Sequence, residues 1–293
     1  MEIIRTVSWM KEAARQSRAE NHVIGFVPTM GALHEGHSSL IRHAKAECSE
    51  VFASIFVNPT QFGPTEDLSK YPRTFESDVV KLEAAGVDVL FAPEPKEMYP
   101  AGFATYVTVE GLSERLEGKS RPGHFRGVAT VVLKLCEIVQ PHFAFFGRKD
   151  AQQARILQRV AQDLNLDIEL RVCPIVREPD DLAFSSRNAY LSAEERQAAT
   201  VLHRGLKAAC QEIAADIRDA LALQNTVRDV LAKEPLARVD YVEVVDADSV
   251  EPIARIGSSP TFILLAVFIG KTRLIDNLLI ESSPDSGDLI WSL

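Results

Sequence analysis

Up to about residue 176, short apolar runs alternate with stretches of helical periodicity. HVIGFVP (residues 22–28), VFASIFV (51–57), VDVLFAP (87–93), HFAFFG (142–147) and DIELRVCPIV (167–176) read as strands. Between them, HSSLIRHAKAE (37–47), TFESDVVKLEAAG (74–86), FRGVATVVLKLCEIVQ (125–140) and KDAQQARILQRVAQDL (149–164) read as helices. The second of these closes on a glycine cap. Continuous apolar strands separated by helices predict an α/β fold with a parallel sheet covered on both faces. Beyond residue 176 the order changes. Two long helical runs, residues 192–213 and 217–234, precede strands at VDYVEVVDADSV (239–250), FILLAVFIG (262–270) and TRLIDNLLI (272–280), the last two joined tightly at Gly270–Lys271. Helices followed by antiparallel strands predict a smaller C-terminal α+β domain. The boundary falls at REPDD (177–181), giving domains of residues 1–176 and 177–293, with no internal repeat. The tail ESSPDSGDLIWSL (281–293) is polar at first and reads as loose, with the docking of Trp291 left open.

Composition narrows this picture without changing it. With 293 residues, 46% of them hydrophobic and 25% charged, the chain has core material for one large domain or two ordinary ones. Its most apolar stretch, residues 262–270, is too short to cross a bilayer, and the N-terminal residues show neither a long apolar run nor a cleavage site. A cytoplasmic protein without a membrane anchor is expected. The formal net charge of -9 repels a phosphate backbone, so broad nucleic-acid binding is not expected. A locally positive site for a small anion remains open. Cys48, Cys136, Cys173 and Cys210 have neither metal-ligand nor redox spacing and read as buried free thiols.

In parallel sheets, ligands bind outside the carboxyl ends of the strands. Three marked segments fall there: PTMGALHEGHSSL (28–40), NPTQF (58–62) and FGRKD (146–150). In the first, Gly31 and Gly36 allow close backbone approach, and a helix expected to start near His37 would aim free N–H groups and its dipole at an anion. His34 and His37, about one turn apart, can donate to phosphate oxygens and steady the charge of a departing phosphate. Two other readings stay open here: incidental loop histidines, and metal ligation, since HEGH resembles HExxH with its histidines one residue too close. In FGRKD, Lys149 opens the next helix as a mobile point charge suited to a triphosphate. Asp150 is equally a dipole-favouring residue or a ligand contact. In FSSRN (184–188), Ser185, Ser186 and Arg187 form either an anion clamp or a polar loop with an N-cap. Gln61 and Gln153, the latter one turn beyond Lys149, can hydrogen-bond a small hydroxy acid without adding charge. GKSRPGHFRG (118–127) adds Lys119, Arg121, His124 and Arg126 on an expected loop facing a ligand or a neighbouring subunit.

PTMGALHEGHSSL, SIFVNPTQF, YPRT, SRPGHFRGVAT, FGRKDAQQ, LAFSSRNAYLS and TRLIDN, in this order and spacing, closely resemble the pantothenate synthetase family, from about Ile3 to Asn277. HEGH is similar to the HxGH signature of the nucleotidyltransferase superfamily, and SSRN to the loop that replaces the KMSKS motif of class I aminoacyl-tRNA synthetases. The resemblance implies a Rossmann-like N-terminal domain and a small α+β lid. It also implies ATP-dependent condensation of (R)-pantoate with β-alanine to pantothenate, AMP and pyrophosphate through a pantoyl adenylate, on the route to coenzyme A. Mg2+ would accompany ATP without protein ligands of its own, and the protein would be a cytoplasmic homodimer. Carried onto this chain, Met30, Gly31, Ala32, Leu33, His34, Glu35, Gly36 and His37 would line the ATP site, with His37 as the usual proton donor. Gly147, Arg148, Lys149, Asp150, Val176, Phe184, Ser185, Ser186 and Arg187 would complete it. Gln61 and Gln153 would hold pantoate, Gln61 would also meet β-alanine, and Tyr71 would sit in a flap. His37, His34, Lys149 and Arg187 would carry the catalysis. The family commonly has KDGLA before SSRN where this chain has PDDLA, so Pro179 and Asp181 replace a lysine and a glycine and put lid motion in question. The alternative is a nucleotidyltransferase of the same fold acting on another small acid or a phosphate ester.

Overall fold

The structure, a computed structural model, describes residues 1–63, 68–283 and 288–293. It divides into two compact units: residues 1–148 with 152–174, and residues 149–151 with 175–293.

The first unit holds six strands: β1 (Glu2–Ile4), β2 (Ile24–Thr29), β3 (Glu50–Ile55), β4 (Val89–Phe91), β5 (Phe143–Gly147) and β6 (Glu169–Cys173). They form one sheet in the order β1-β4-β3-β2-β5-β6, with every pairing parallel. Its helices are α1 (Val7–Ala19), α2 (Glu35–Glu47), α3 (Phe75–Ala84), the short α4 (Pro95–Met98) and α5 (Glu117–Ser120), α6 (His124–Val139) and α7 (Ala151–Asp163), whose first residue counts with the second unit. Alternate residues of the strands feed two cores. Val27, Val51, Ala53, Leu90 and Phe145 pack with Leu40, Ile41 and Ala44 of α2 and Leu82 of α3. Ile24, Phe26, Phe52 and Phe91 pack with Met10 and Ala14 of α1 and Val131, Leu135 and Val139 of α6. Burial on both faces explains why the strands read as unbroken apolar runs.

The chain runs outward from β2 through β3 to β4, then returns to β2's other side as β5. That reversal is a topological switch point, where open α/β sheets bind ligands. The β2–β3 ladder extends to Thr29↔Ile55, but the β2–β5 ladder stops at Phe26↔Ala144. Pro28, which has no N–H to offer a ladder, follows that point. The β2–β5 ladder is therefore not continued to the carboxyl ends of these two strands.

The second unit is an antiparallel sheet of β7 (Ala237–Asp246), β8 (Thr261–Ile269), β9 (Thr272–Ser282) and β10 (Leu289–Ser292), in the order β10-β9-β8-β7. One face buries Val242, Val244, Ile263, Leu265, Leu274 and Leu278 against α8 (Ala193–Ala199), α9 (Val201–Ala214) and α10 (Ala220–Leu231). Gly270, at φ 56°, takes the first place of the two-residue β8–β9 turn.

Four expectations are corrected. β1 and α1 add to the expected elements; the three residues of β1 are too few for periodicity to register, whereas α1 is a full helix of 13 residues. The run at residues 192–213 is two helices, divided at Thr200. The tail is not loose where it is described: β10 pairs with β9 and sets Trp291 opposite Ile280. Residues 284–287 of that tail lie outside the described residues. Finally, the basic run at residues 118–127 is not a loop but α5 and the start of α6, joined through Gly123 at φ 82°. The four cysteines are buried and free, as expected, and burial pushes their thiols up, to about 11 for Cys48, Cys173 and Cys210 and about 12 for Cys136. They are poor nucleophiles. No helix among the described residues is long and apolar enough to cross a membrane.

Candidate active site

The loop between β2 and α2 is held in a conformation that side chains resist. Gly31 has φ 81° and Ala32 φ 52°, both left-handed. For alanine this is costly, and surrounding structure must enforce it. Asp78 of α3, fully buried, does so. Its Oδ2 accepts from the Ala32 N–H at 2.8 Å and its Oδ1 from the Leu33 N–H at 2.9 Å, while the Thr74 hydroxyl donates to Oδ2 at 2.9 Å. Lys81, one turn on, donates to the Leu33 carbonyl at 2.6 Å. A buried carboxylate needs such donors, and here they are the loop's own backbone. Periodicity could not reveal this role, since an acid near a helix start also reads as dipole compensation.

α2 begins at Glu35, two residues before the expected start, with His34 as its N-cap. His37 thus lies inside the first turn. The His34 N–H donates to His37 Nδ1 at 3.3 Å, and the two rings sit 4.1 Å apart between centroids. Because Nδ1 accepts, the neutral His37 ring carries its proton on Nε2, which makes that nitrogen a donor. Among the described residues no three His, Cys, Asp or Glu side chains gather to hold a metal.

Gln61 closes a 3-10 turn, Pro59–Gln61, after β3, and is buried. Its Oε1 accepts from Asn58 Nδ2 at 3.1 Å, and its Nε2 donates to Met30 Sδ at 2.9 Å. This contact ties the amide expected to hold an acid to the loop expected to hold a nucleotide. Asn58, which carries no local signal of a role, is almost wholly buried; its Oδ1 accepts from Thr60 and from the Tyr99 hydroxyl, and its Nδ2 also reaches the Gly127 carbonyl. α6 presses on the same turn: a Cβ on Gly127 would stand 2.4 Å from the Thr60 carbonyl oxygen and 2.6 Å from Gln61 N. His124, buried, bridges Arg121 Nη1 and the Gln61 carbonyl, each at 2.9 Å. Of the basic run, then, His124 and Arg121 serve this packing, Arg126 lies over the Tyr106 ring at 3.6 Å, and Lys119 is exposed. Gln153 is half-buried in the first turn of α7. Gly147 ends β5, and the Arg148 side chain is buried. Tyr71 stacks edge-on against Phe62 at 6.0 Å.

In the second unit, Lys149 and Asp150 belong to a 3-10 turn, Arg148–Asp150, that precedes α7 rather than opening it. Lys149 is half-buried and Asp150 exposed. Phe184 N–H donates to the Val176 carbonyl at 3.0 Å. Ser185 caps the turn Ser186–Tyr190 by accepting from Arg187 N–H at 3.2 Å, so the capping reading of this hydroxyl holds. The Arg187 side chain is exposed, and among the described residues no carboxylate pairs with it or with Lys149. By contrast, the hairpin before it is densely tied. Arg177 makes a two-pronged ion pair with Asp276 at 2.7 and 2.9 Å, Arg196 reaches Glu178 and Asp180, and Asn188 reaches Glu178. Asp181 sits at φ 72°, a region aspartate tolerates better than most residues. Near it, the His203 imidazole is held below its usual range by burial and by the Arg177 charge.

The chain matches the Pantoate-beta-alanine ligase family over residues 2–279. It is 51% identical over 286 residues to the pantothenate synthetase of Koribacter versatilis, covering 98% of each chain, and 58% identical over 261 residues to that of Acidobacterium capsulatum, covering 89% and 87%. The pantothenate synthetase structure of Thermus thermophilus superposes with a TM-score of 0.88 at 44% identity, covering 94% of this chain and 98% of that one. The pantoate-beta-alanine ligase of Francisella tularensis, solved complexed with beta-gamma ATP and beta-alanine, gives 0.76 at 36% identity, covering 94% and 97%. With likeness of that depth along nearly the whole chain, this protein belongs to the pantoate-beta-alanine ligase family.

Proposed function

We propose that the chain condenses pantoate with β-alanine using ATP, yielding pantothenate, AMP and pyrophosphate through a pantoyl adenylate. The observation that carries this reading is the 2.9 Å contact between Gln61 and Met30, which joins the amide assigned to the acid to the loop that leads into α2. The first step brings two anions together, a carboxylate and the α-phosphorus. No protein nucleophile is needed; the site has to hold the attack in line and neutralise charge. The N–H groups that begin α2 and the His37 Nε2–H suit the departing pyrophosphate. His34 acts with it, and Lys149 and Arg187 supply the cations. We assign Met30 to His37, Gly147 to Asp150, Val176 and Phe184 to Arg187 to the nucleotide. Gln61 and Gln153 hold pantoate through uncharged amides, and Gln61 also meets β-alanine. Mg2+ enters with ATP as part of the substrate. In the second step the uncharged amine attacks the activated carbonyl and releases AMP. We further read the protein as a cytoplasmic homodimer.

The test is mass detection of pantoyl adenylate after mixing ATP, Mg2+ and pantoate without β-alanine. The adenylate is expected, together with pyrophosphate exchange that requires pantoate. Exchange without pantoate would refute the substrate, and His37→Ala losing only the second half-reaction would refute the role given to His37.

A further inference from the structure

The TRLIDN segment of β9 matches the family but has no task in the reaction just described. Along β9 the burial alternates: Leu274, Leu278 and Ile280 face the core, whereas Arg273, Ile275 and Leu279 are only partly covered. Two polar side chains stand out. Asp276 occupies the core-facing row at 3% exposure, and Asn277, on the opposite row, is 1% exposed. Both lie outside the stretch of β9 that β10 covers, residues 279–282.

Each holds a different segment of the second unit. On one face, Asp276 receives both prongs of Arg177, the first residue of the hairpin that leads into the Phe184–Asn188 loop; the same carboxylate accepts from the Asn277 N–H at 2.8 Å. On the other face, Asn277 Nδ2 donates to the main-chain carbonyl of Lys149 at 3.1 Å. Residues 149–151 accordingly count with the second unit although they lie in sequence between β5 and the body of α7 in the first. An amide with 1% exposure that donates to a carbonyl 128 residues away is not a solvation feature. Leaving that carbonyl without its donor costs free energy, which the chain avoids while residue 149 stays in place.

We propose that Asp276 and Asn277 are positioning residues for adenylation: adjacent on one strand, they fix the backbone of Lys149 and the root of the Arg187 loop in a single body. The two cations assigned to the triphosphate are then set by one rigid element, although neither has a carboxylate partner of its own among the described residues. This inference rests on the roles proposed above for Lys149 and Arg187.

Pantoate-dependent pyrophosphate exchange on the full-length protein tests it, with the parent, Asn277→Ala, Lys149→Ala and the double variant. Asn277→Ala is expected to lower kcat/KM for ATP about tenfold, the effect of losing one such hydrogen bond, with the pantoate KM unchanged. Because Asn277 acts through Lys149, adding its substitution to Lys149→Ala should cost little more. Asn277→Leu, similar in size but without the donor, should behave as Asn277→Ala while keeping a cooperative thermal melt. Losses that multiply in the double variant, an Asn277→Ala enzyme equal to the parent, or failure of both Asn277 variants to fold would overturn the proposal. A fully active Lys149→Ala enzyme would instead remove the role assigned to Lys149, and the inference with it.

Discussion

The two units hold their functional segments by opposite means. In the first, the loop after β2 is shaped through its own main chain, whose Ala32 and Leu33 N–H groups donate to the Asp78 carboxylate and whose Leu33 carbonyl accepts from the Lys81 ammonium, and the Gln61 turn is shaped by close packing against Gly127. In the second, the hairpin before the Phe184–Asn188 loop is held by ion pairs, with Arg177 on Asp276 and Arg196 on Glu178 and Asp180. The contrast separates two kinds of cation. Arg177 and Arg196 serve structure and are paired. Lys149 and Arg187 lack carboxylate partners among the described residues, so their charge is open to an anion. A net charge of -9 therefore says little about a site whose useful charges are those without an acid beside them.

The contrast can be broken most severely at the Arg177–Asp276 pair. Arg177→Ala leaves a buried carboxylate uncompensated and should destabilise the second unit by about 3–5 kcal/mol, read from denaturant unfolding. Next is Asp78→Ala, which leaves the Ala32 and Leu33 N–H groups without their acceptor; a stability loss of about 1–3 kcal/mol is expected, together with a raised KM for ATP. A raised KM for pantoate alone would show that the loop's shape does not serve the nucleotide. Gly127→Ala sharpens the comparison at a similar cost in stability. Overpacking of about 1–3 kcal/mol should fall on the Thr60–Gln61 main chain and raise the pantoate KM more than the ATP KM. The smallest effect is pH dependence. Burial depresses the imidazoles of His142 and His203 in the folded chain. The unfolded chain then takes up protons first as pH falls below about 6.5, so stability should decline from there toward the lower folded-state values and be unaffected above it. Thermal melts should flatten with pH in His203→Gln, and a melt independent of pH between about 5 and 7 in the parent would count against this.

Much of the architecture was legible because burial on both faces leaves a signature. The strands at residues 22–28, 51–57, 87–93 and 142–147 could be nothing but interior, and their alternation with helices fixed the parallel sheet. β1 was illegible because three residues carry no period, and β10 because its apolar residues follow a polar stretch. Within the site, the glycines, histidines and glutamines were visible by type. The roles of Asp78, Asn58, Gly127 and Asn277 were not, nor was the packing role of His124, since each works by touching a main chain far away in sequence.

The sequence alone determined which residue types exist at the carboxyl ends of which strands, because hydrophobic periodicity and turn chemistry are local. Only the tertiary structure decided that Ala32 is held left-handed by Asp78, that Gln61 meets Met30 and that Asn277 donates to the Lys149 carbonyl. Those outcomes depend on hydrogen bonds between segments far apart in sequence, and no local pattern records where a buried donor will find its acceptor.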